Sequence, residues 1–336
     1  MRIKPLLERL FDVVFNQSKL KPKLIISYLV ASFLPLLLTG VFLVQKANQI
    51  IEDQTNRTLG VSMQQVNYNM DTQLSSYEEL ANHFYFDTAL NIDLQEDYSE
   101  SSNLDAIVVE QAFIERVKVL LKFKNDLRAI SLYFYNPSLY NAKPYLTLAD
   151  KDIMVNSDFQ HAMASSYKGY WGQTKKVKEG SLYWEANVKH NATTTWVFSY
   201  SRALEFYNAK EPVGLLTLEI KESELFQLLS KESRDNHIFL VGTSGDIITS
   251  NDRDRLGTAL EPEVFHRISQ QSTGEFLWDQ NSDHFKVMYS ELKNGWKMVY
   301  MIPVNRLLEE TRNMRNYGLL FILASMILSV VLIIIV

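Results

Sequence analysis

The 336-residue sequence contains no cysteine, which removes disulfide frameworks, thiolate metal sites, iron–sulfur clusters and cysteine nucleophiles together. Glycine and proline are sparse, at 12 and 8 residues, so the chain is neither collagen-like nor low-complexity. With 46% hydrophobic residues it can fill a core, and intrinsic disorder is excluded as well. Basic charge is not in excess. The formal net charge is -5, which argues against nucleic acid as a partner of this segment. Catalytic signatures are missing too: the six histidines make no metal-ligand spacing, and no G-x-S-x-G, P-loop or kinase nucleotide motif occurs. Paired acids such as Glu78–Glu79 and Glu309–Glu310 read as solvated helix faces. No catalytic residue, metal or cofactor is therefore expected here, and any enzymatic activity would have to come from elsewhere in a longer protein.

Two long uncharged apolar runs are present. Leu24–Val44 and Tyr317–Val336 carry no charged residue, and each is about the 20 residues that a helix needs to span a bilayer. Both read as transmembrane helices. The first is longer than a signal-peptide core, and no A-x-A-like site precedes Gln45. Residues 1–23 hold six basic side chains (Arg2, Lys4, Arg9, Lys19, Lys21 and Lys23) against Glu8 and Asp12, so the positive-inside rule puts the N-terminus in the cytoplasm and residues 45–316 outside. With no flank after Val336, the natural protein is expected to continue into a cytoplasmic module.

After the first run, Leu59, Met63, Val66, Met70, Leu74, Tyr77, Leu80 and Phe84 recur at helical spacing, which predicts a long helix over about 46–86. Met63, Met70, Tyr77 and Phe84 fall seven apart. Two uses of that row compete: packing on the chain's own domain, or a coiled-coil seam with a second copy. A helix is predicted around Val108–Leu121. Strand alternation follows in Ile130–Tyr135, Ser181–Val188, Trp196–Ser201 and Val213–Ile220, and then a helix over Glu222–Lys231. A second set of strands covers His237–Val241, Asp246–Ser250, Glu275–Trp278, His284–Ser290 and Trp296–Ile302. Between its first two members Gly242-Thr243-Ser244-Gly245 reads as a hairpin turn, and Val304–Met314 as a helix.

This order of elements resembles the double Cache ectodomain of bacterial transmembrane receptors. The segments KPKLIISYLVASFLPLLLTG, VGLLTLEI, FLVGTSGDIITSND and YSELKNGWKMVYMIPVNRLLEE are similar to stretches of Gram-positive sensor histidine kinases of the YesM type. The resemblance implies an α+β fold: two transmembrane helices flanking a long helix and two PAS-like antiparallel-sheet units. The implied order is a basic tail (1–23), transmembrane helix (24–44), exit helix (45–90), membrane-distal unit (91–232), membrane-proximal unit (233–302), return helix (303–316) and transmembrane helix (317–336). It further implies a homodimeric cell-membrane receptor for a small extracellular molecule, signalling to a cytoplasmic response regulator. AraC-type regulators, chemoreceptors and cyclases carry similar ectodomains, and a membrane-tethered structural or adhesive protein is the alternative of another class.

In amino-acid-binding relatives the distal unit carries Arg-x-Trp-Tyr after a helix and an Asp ending a later strand. The nearest match here is Lys168-Gly169-Tyr170-Trp171, with Glu219 at the Asp position and Met163 where a Tyr is expected. Lysine lacks the bidentate fork of arginine and the two aromatics are exchanged, which puts amino-acid binding in doubt. The candidate ligand residues are Lys168, Tyr170, Trp171, Tyr183, Trp184, Arg202 and Glu219. Their aromatic density, with Tyr167 and Trp196, equally fits a carbohydrate-like or aromatic ligand or a filled core.

Overall fold

The computed structural model describes residues 20–99, 103–165, 168–178, 181, 183, 194–205, 211–230, 236–280 and 283–305, with 316–318, 320–321, 323–325 and 327. The chain forms two compact units, residues 1–61 with 303–336, and residues 62–302.

In the first unit, helix α1 (Leu20–Tyr85) begins before the first apolar run and contains it. Leu34, Leu38, Phe42 and Leu43 are exposed, as are Tyr317, Leu320 and Phe321 of the second run. The two runs meet at Gly318, where a Cβ would stand 2.7 Å from Val44 Cγ2. Only a residue without a side chain permits that approach. Among the described residues no helix is long and apolar enough to cross a membrane.

The second unit holds two sheets. α1 continues to Tyr85 and stops where Asp87 starts a new helix, α2 (Thr88–Gln95), by accepting the Leu90 N–H at 3.1 Å. Helix α3 (Asn103–Phe123) follows. The first sheet has the order β2-β1-β5-β4-β3, formed by β1 (Leu127–Phe134), β2 (Leu146–Leu148), β3 (Tyr170–Lys178), β4 (Thr194–Leu204) and β5 (Gly214–Lys221). Short helices α4 (Lys151–Met154) and α5 (Ser157–Ala164) precede β3, and α6 (Glu222–Leu229) follows β5. The second sheet has the order β7-β6-β10-β9-β8, from β6 (His237–Val241), β7 (Ile247–Ser250), β8 (Thr273–Gln280), β9 (Asp283–Glu291) and β10 (Lys297–Pro303), with helix α7 (Pro262–Ser269) across one face.

The apolar row of α1 is consumed inside its own chain. Met70, Tyr77 and Phe84 are fully buried and Met63, Val66 and Leu74 nearly so, so the seam with a second copy has no free surface on this row. The other departures are local. β2 joins β1 in parallel, because it arrives through the 135–145 crossover rather than a hairpin. β3 forms where no strand is predicted, since Gly172 and three lysines hide its alternation. The predicted strand Ser181–Val188 is described only at Ser181 and Tyr183, the latter in a turn. The predicted helix Val304–Met314 is described only at Val304 and Asn305, both helical. The Gly242–Gly245 turn is present, its Gly242 N–H bonded to the Asp246 carbonyl at 2.8 Å.

Candidate functional site

Strand alternation gives the first sheet two faces of different chemistry. Toward α1 point Trp171, Phe198, Tyr200 and Arg202. The Trp171 ring lies 4.6 Å from Tyr200 and 5.3 Å from Trp296 of the second sheet, and its indole N–H donates to Glu78 of α1 at 3.1 Å. Arg202 donates to Asn82 Oδ1 and lies 4.1 Å over the Tyr85 ring. These are packing contacts between the sheet, the long helix and the second sheet.

Toward α4 and α5 point Tyr133, Val177, Val197, Ala203 and Leu215, packed on Ile153, Phe159 and Ala162, with Tyr170 and Met163 half-buried beside them. By the same alternation this face carries Ser131, Ser199, Ser201, Thr217 and Glu219, all fully buried. Ser201 and Thr217 share a 3.0 Å hydrogen bond. Ser131 Oγ and, on β2, Thr147 Oγ1 are buried with no hydrogen-bond partner among the described residues.

Glu219 anchors this interior. Its carboxylate pairs with the Arg128 guanidinium and accepts the Tyr183 N–H at 3.3 Å. Arg128 also donates to the carbonyls of Lys178 at 2.6 Å and Ser181 at 2.8 Å, so the pair fastens the turn that follows β3. Complete burial raises the Glu219 carboxyl above the ordinary carboxylate range, opposed by Arg128, the Tyr183 N–H and Lys175. Lys175 Nζ stands 3.5 Å over the Tyr183 ring. Its pKa is lowered to about 8 by burial, while Asp158 and Glu219 act in the opposite direction. Burial likewise raises the Tyr170 and Tyr183 phenols.

The sequence candidates thus divide. Tyr170, Tyr183 and Glu219 share the α5-facing interior, whereas Trp171 and Arg202 lie across the sheet from them, because residues one or three positions from an inward side chain must point the other way. Lys168 is exposed, and its carbonyl accepts from the Tyr200 hydroxyl at 3.4 Å. Trp184 and Tyr167 lie outside the described residues. Arg128 and Lys175 are the members that sequence reasoning missed; the two-residue spacing of Lys175 from the apolar Val177, which puts both on one face of a strand, was a usable signal once β3 is recognised.

Gly169 fixes the approach to β3. It has φ +70, and a Cβ there would collide with the Tyr200 hydroxyl. Gly169→Ala is expected to cost about 1 to 3 kcal/mol, read as a lowered urea midpoint with unchanged slope.

In the second sheet the polar side chains buried on the α7-facing side are partnered: Lys297 Nζ bonds Glu291 at 2.6 Å, and Ser250 Oγ accepts the Asp252 N–H at 2.9 Å. That side is packed with Phe239, Val241, Ile247, Val264, Val287 and Val299. The two sheets are joined by Thr174 Oγ1, which donates to the Ile248 carbonyl at 2.7 Å, and by Glu222. That buried carboxylate at the start of α6 receives both arms of Arg253, at 2.8 and 2.7 Å, and the Thr249 hydroxyl. Arg253→Ala is expected to cost about 1.5 to 3 kcal/mol, with Arg253→Lys recovering only part, because lysine cannot form the fork. Chemical unfolding checks both. Elsewhere, a surface groove of about 500 Å³ between α1 and α3 is lined by Leu80, Phe84, Arg116 and Val119 among others.

A long helix followed by two successive five-stranded sheets, the first with a polar, ion-paired interior among the described residues, is a two-sheet α+β arrangement. The family model for the Cache domain, in its double form, matches residues 44–311, and the chain belongs to that family. Among relatives, the HTH-type transcriptional regulator YtdP of Bacillus subtilis (strain 168) is 21% identical over 311 residues, covering 89% of this chain. The chain spans only 38% of that regulator's length. Among solved structures, the extracellular domain of a candidate histidine kinase, soHK1S-Z6, aligns with TM-score 0.53 at 12% identity, covering 78% of this chain and 98% of that one. The ligand-binding domain of the amino acid chemoreceptor PctC of Pseudomonas aeruginosa PAO1, solved with GABA, aligns with TM-score 0.51 at 14% identity, covering 74% and 99%. At these identities the structural likeness is one of fold.

Proposed function

We propose that the chain is the extracytoplasmic sensing portion of a two-pass membrane receptor and that its first sheet binds a small molecule on the face toward α4 and α5. One observation carries the assignment to the first sheet: among the described residues, that face holds buried hydroxyls without a hydrogen-bond partner beside the fully buried Glu219, whereas the polar side chains buried on the matching face of the second sheet, Lys297 and Ser250, are partnered by Glu291 and the Asp252 N–H. Fully buried polar groups are costly unless partnered, and they mark places where a polar ligand is received. Membrane anchoring is supported by the two uncharged runs, by the basic tail before the first, and by the exposure of Leu34, Leu38, Phe42 and Leu43. Clustered apolar side chains of this kind suit lipid better than water.

The receptor acts as a homodimer whose output is a two-component histidine kinase that signals to a response regulator. The KPKLIISYL and YSELKNGWKMVYMIPVNRLLEE segments support this output. The similarity to YtdP favours a second reading, in which the same sensor controls a DNA-binding output.

The ligand reading is tested by thermal-shift screening of the full chain in detergent micelles against a metabolite library. A stabilising compound whose effect disappears in Tyr170→Ala supports the first-sheet site. One whose effect survives that change but is lost on altering the second sheet removes it. For topology, a membrane-impermeant maleimide should label Asn208→Cys in intact cells. Labelling only after permeabilisation reverses the orientation.

A further inference from the structure

The charged groups of the first-sheet interior are engaged within the protein. Glu219 is taken by Arg128 and the Tyr183 N–H, and Lys175 Nζ lies 3.5 Å over the Tyr183 ring. A charged ligand would have to break one of these arrangements or enter a buried site with no counter-charge, and both cost several times what a neutral hydrogen bond returns. What this face still offers is hydroxyl chemistry. Ser131, Thr217 and Ser201 form one row across β1, β5 and β4, in register at Ser131↔Thr217 and Ser201↔Thr217. Thr147 flanks Tyr133 on β2, and Ser131 and Thr147 have no hydrogen-bond partner among the described residues. Aromatic rings stand beside the row, with Tyr133 and Phe159 edge-on at 5.8 Å and Tyr170 packed against the same cluster. Hydroxyls that both donate and accept, next to aromatic faces, match the alternating O–H and C–H surface of a sugar.

We infer that the site takes an uncharged polyhydroxy molecule of the carbohydrate class, and neither an amino acid nor a free carboxylate. The inference rests on the ligand-site reading above and specifies the chemistry of that same site.

The test compares three sets of probes on the full chain in detergent micelles. They are neutral saccharides and polyols (glucose, galactose, xylose, maltose and inositol), L-amino acids with GABA, and C2–C6 carboxylates. A saccharide or polyol at about 100 times its Kd should raise the melting temperature by about 4 to 6 °C, with no shift from the other two sets. Ser131→Ala and Thr147→Val distinguish ligand contact from structure. Each removes a hydroxyl that has no hydrogen-bond partner among the described residues, so the unliganded protein should melt at the same temperature or higher, while the saccharide binds at least tenfold more weakly. A stronger shift from an amino acid or carboxylate, abolished by Tyr170→Ala, overturns the ligand class and leaves the site standing. Failure of every saccharide and polyol also overturns the class. A saccharide shift untouched by Ser131→Ala, Thr147→Val and Tyr170→Ala overturns both the class and the site.

Discussion

Replacing Arg128 with methionine should destabilise the protein by about 3 to 5 kcal/mol, because Glu219 would be left as a fully buried carboxylate without its cation. The cost belongs to the orphaned charge rather than to the pair. Arg128→Met combined with Glu219→Leu should therefore recover most of the loss, since apolar replacement of a buried pair is often neutral or better. Urea unfolding followed by tryptophan fluorescence would show it, and a double variant no more stable than the single one would refute the argument. The defect should also depend on pH. Burial already raises the Glu219 carboxyl, and without Arg128 it rises further. A carboxyl whose folded-state pKa exceeds its unfolded value binds its proton more tightly in the folded protein, so stability falls as pH rises through the interval between the two values. Arg128→Met should accordingly be less damaging at pH 5 than at pH 8.

A loss of similar size is expected at Met70 on the long helix. The side chain is fully buried, so Met70→Ala should cost about 2 to 5 kcal/mol. The decisive feature is concentration. A seam between two copies would make the melting temperature rise with protein concentration, whereas a row filled within one chain gives the same loss at any dilution. Met70→Cys should resist both thiol reagents and interchain crosslinking, and Tyr68→Cys, on the exposed side of the helix, should react freely. A disulfide formed between chains at position 70 would restore the seam.

The sequence displayed the order of elements because most of them are strongly periodic. The strands from Ile130, Trp196, Val213, His237 and Trp296, and the helices around Val108 and Glu222, lie within a few residues of where alternation places them. β3 escaped because Tyr170–Lys178 carries lysine at positions 175, 176 and 178 and glycine at 172, and its bulge between Gly172 and Lys175 breaks the period of two. That one omission scattered the site. Without knowing that 170–178 is a strand, Tyr170 and Trp171 look like neighbours in a pocket; as a strand they are necessarily on opposite sides of a sheet. Arg128 was hidden differently. Its partner lies 91 positions away, and nothing in a single sequence says which of many acids an arginine on a strand will meet. The heptad row was read correctly as apolar, but spacing alone does not say whose surface covers it.

Glu219 and Glu222 stand three residues apart where β5 passes into α6, a separation of about 10 Å along the chain. The first is clasped by Arg128 within the first sheet, the second by Arg253 against the second. A strand bonded on both flanks, as β5 is by β1 and β4, resists stretching, so an axial slip imposed at one carboxylate arrives at the other almost undiminished. The receiving end is a planar fork whose two bonds hold or fail together. β5 would then behave as a push-rod ending in a catch: small displacements accumulate no output until the catch lets go, and the second sheet experiences a step rather than a gradient.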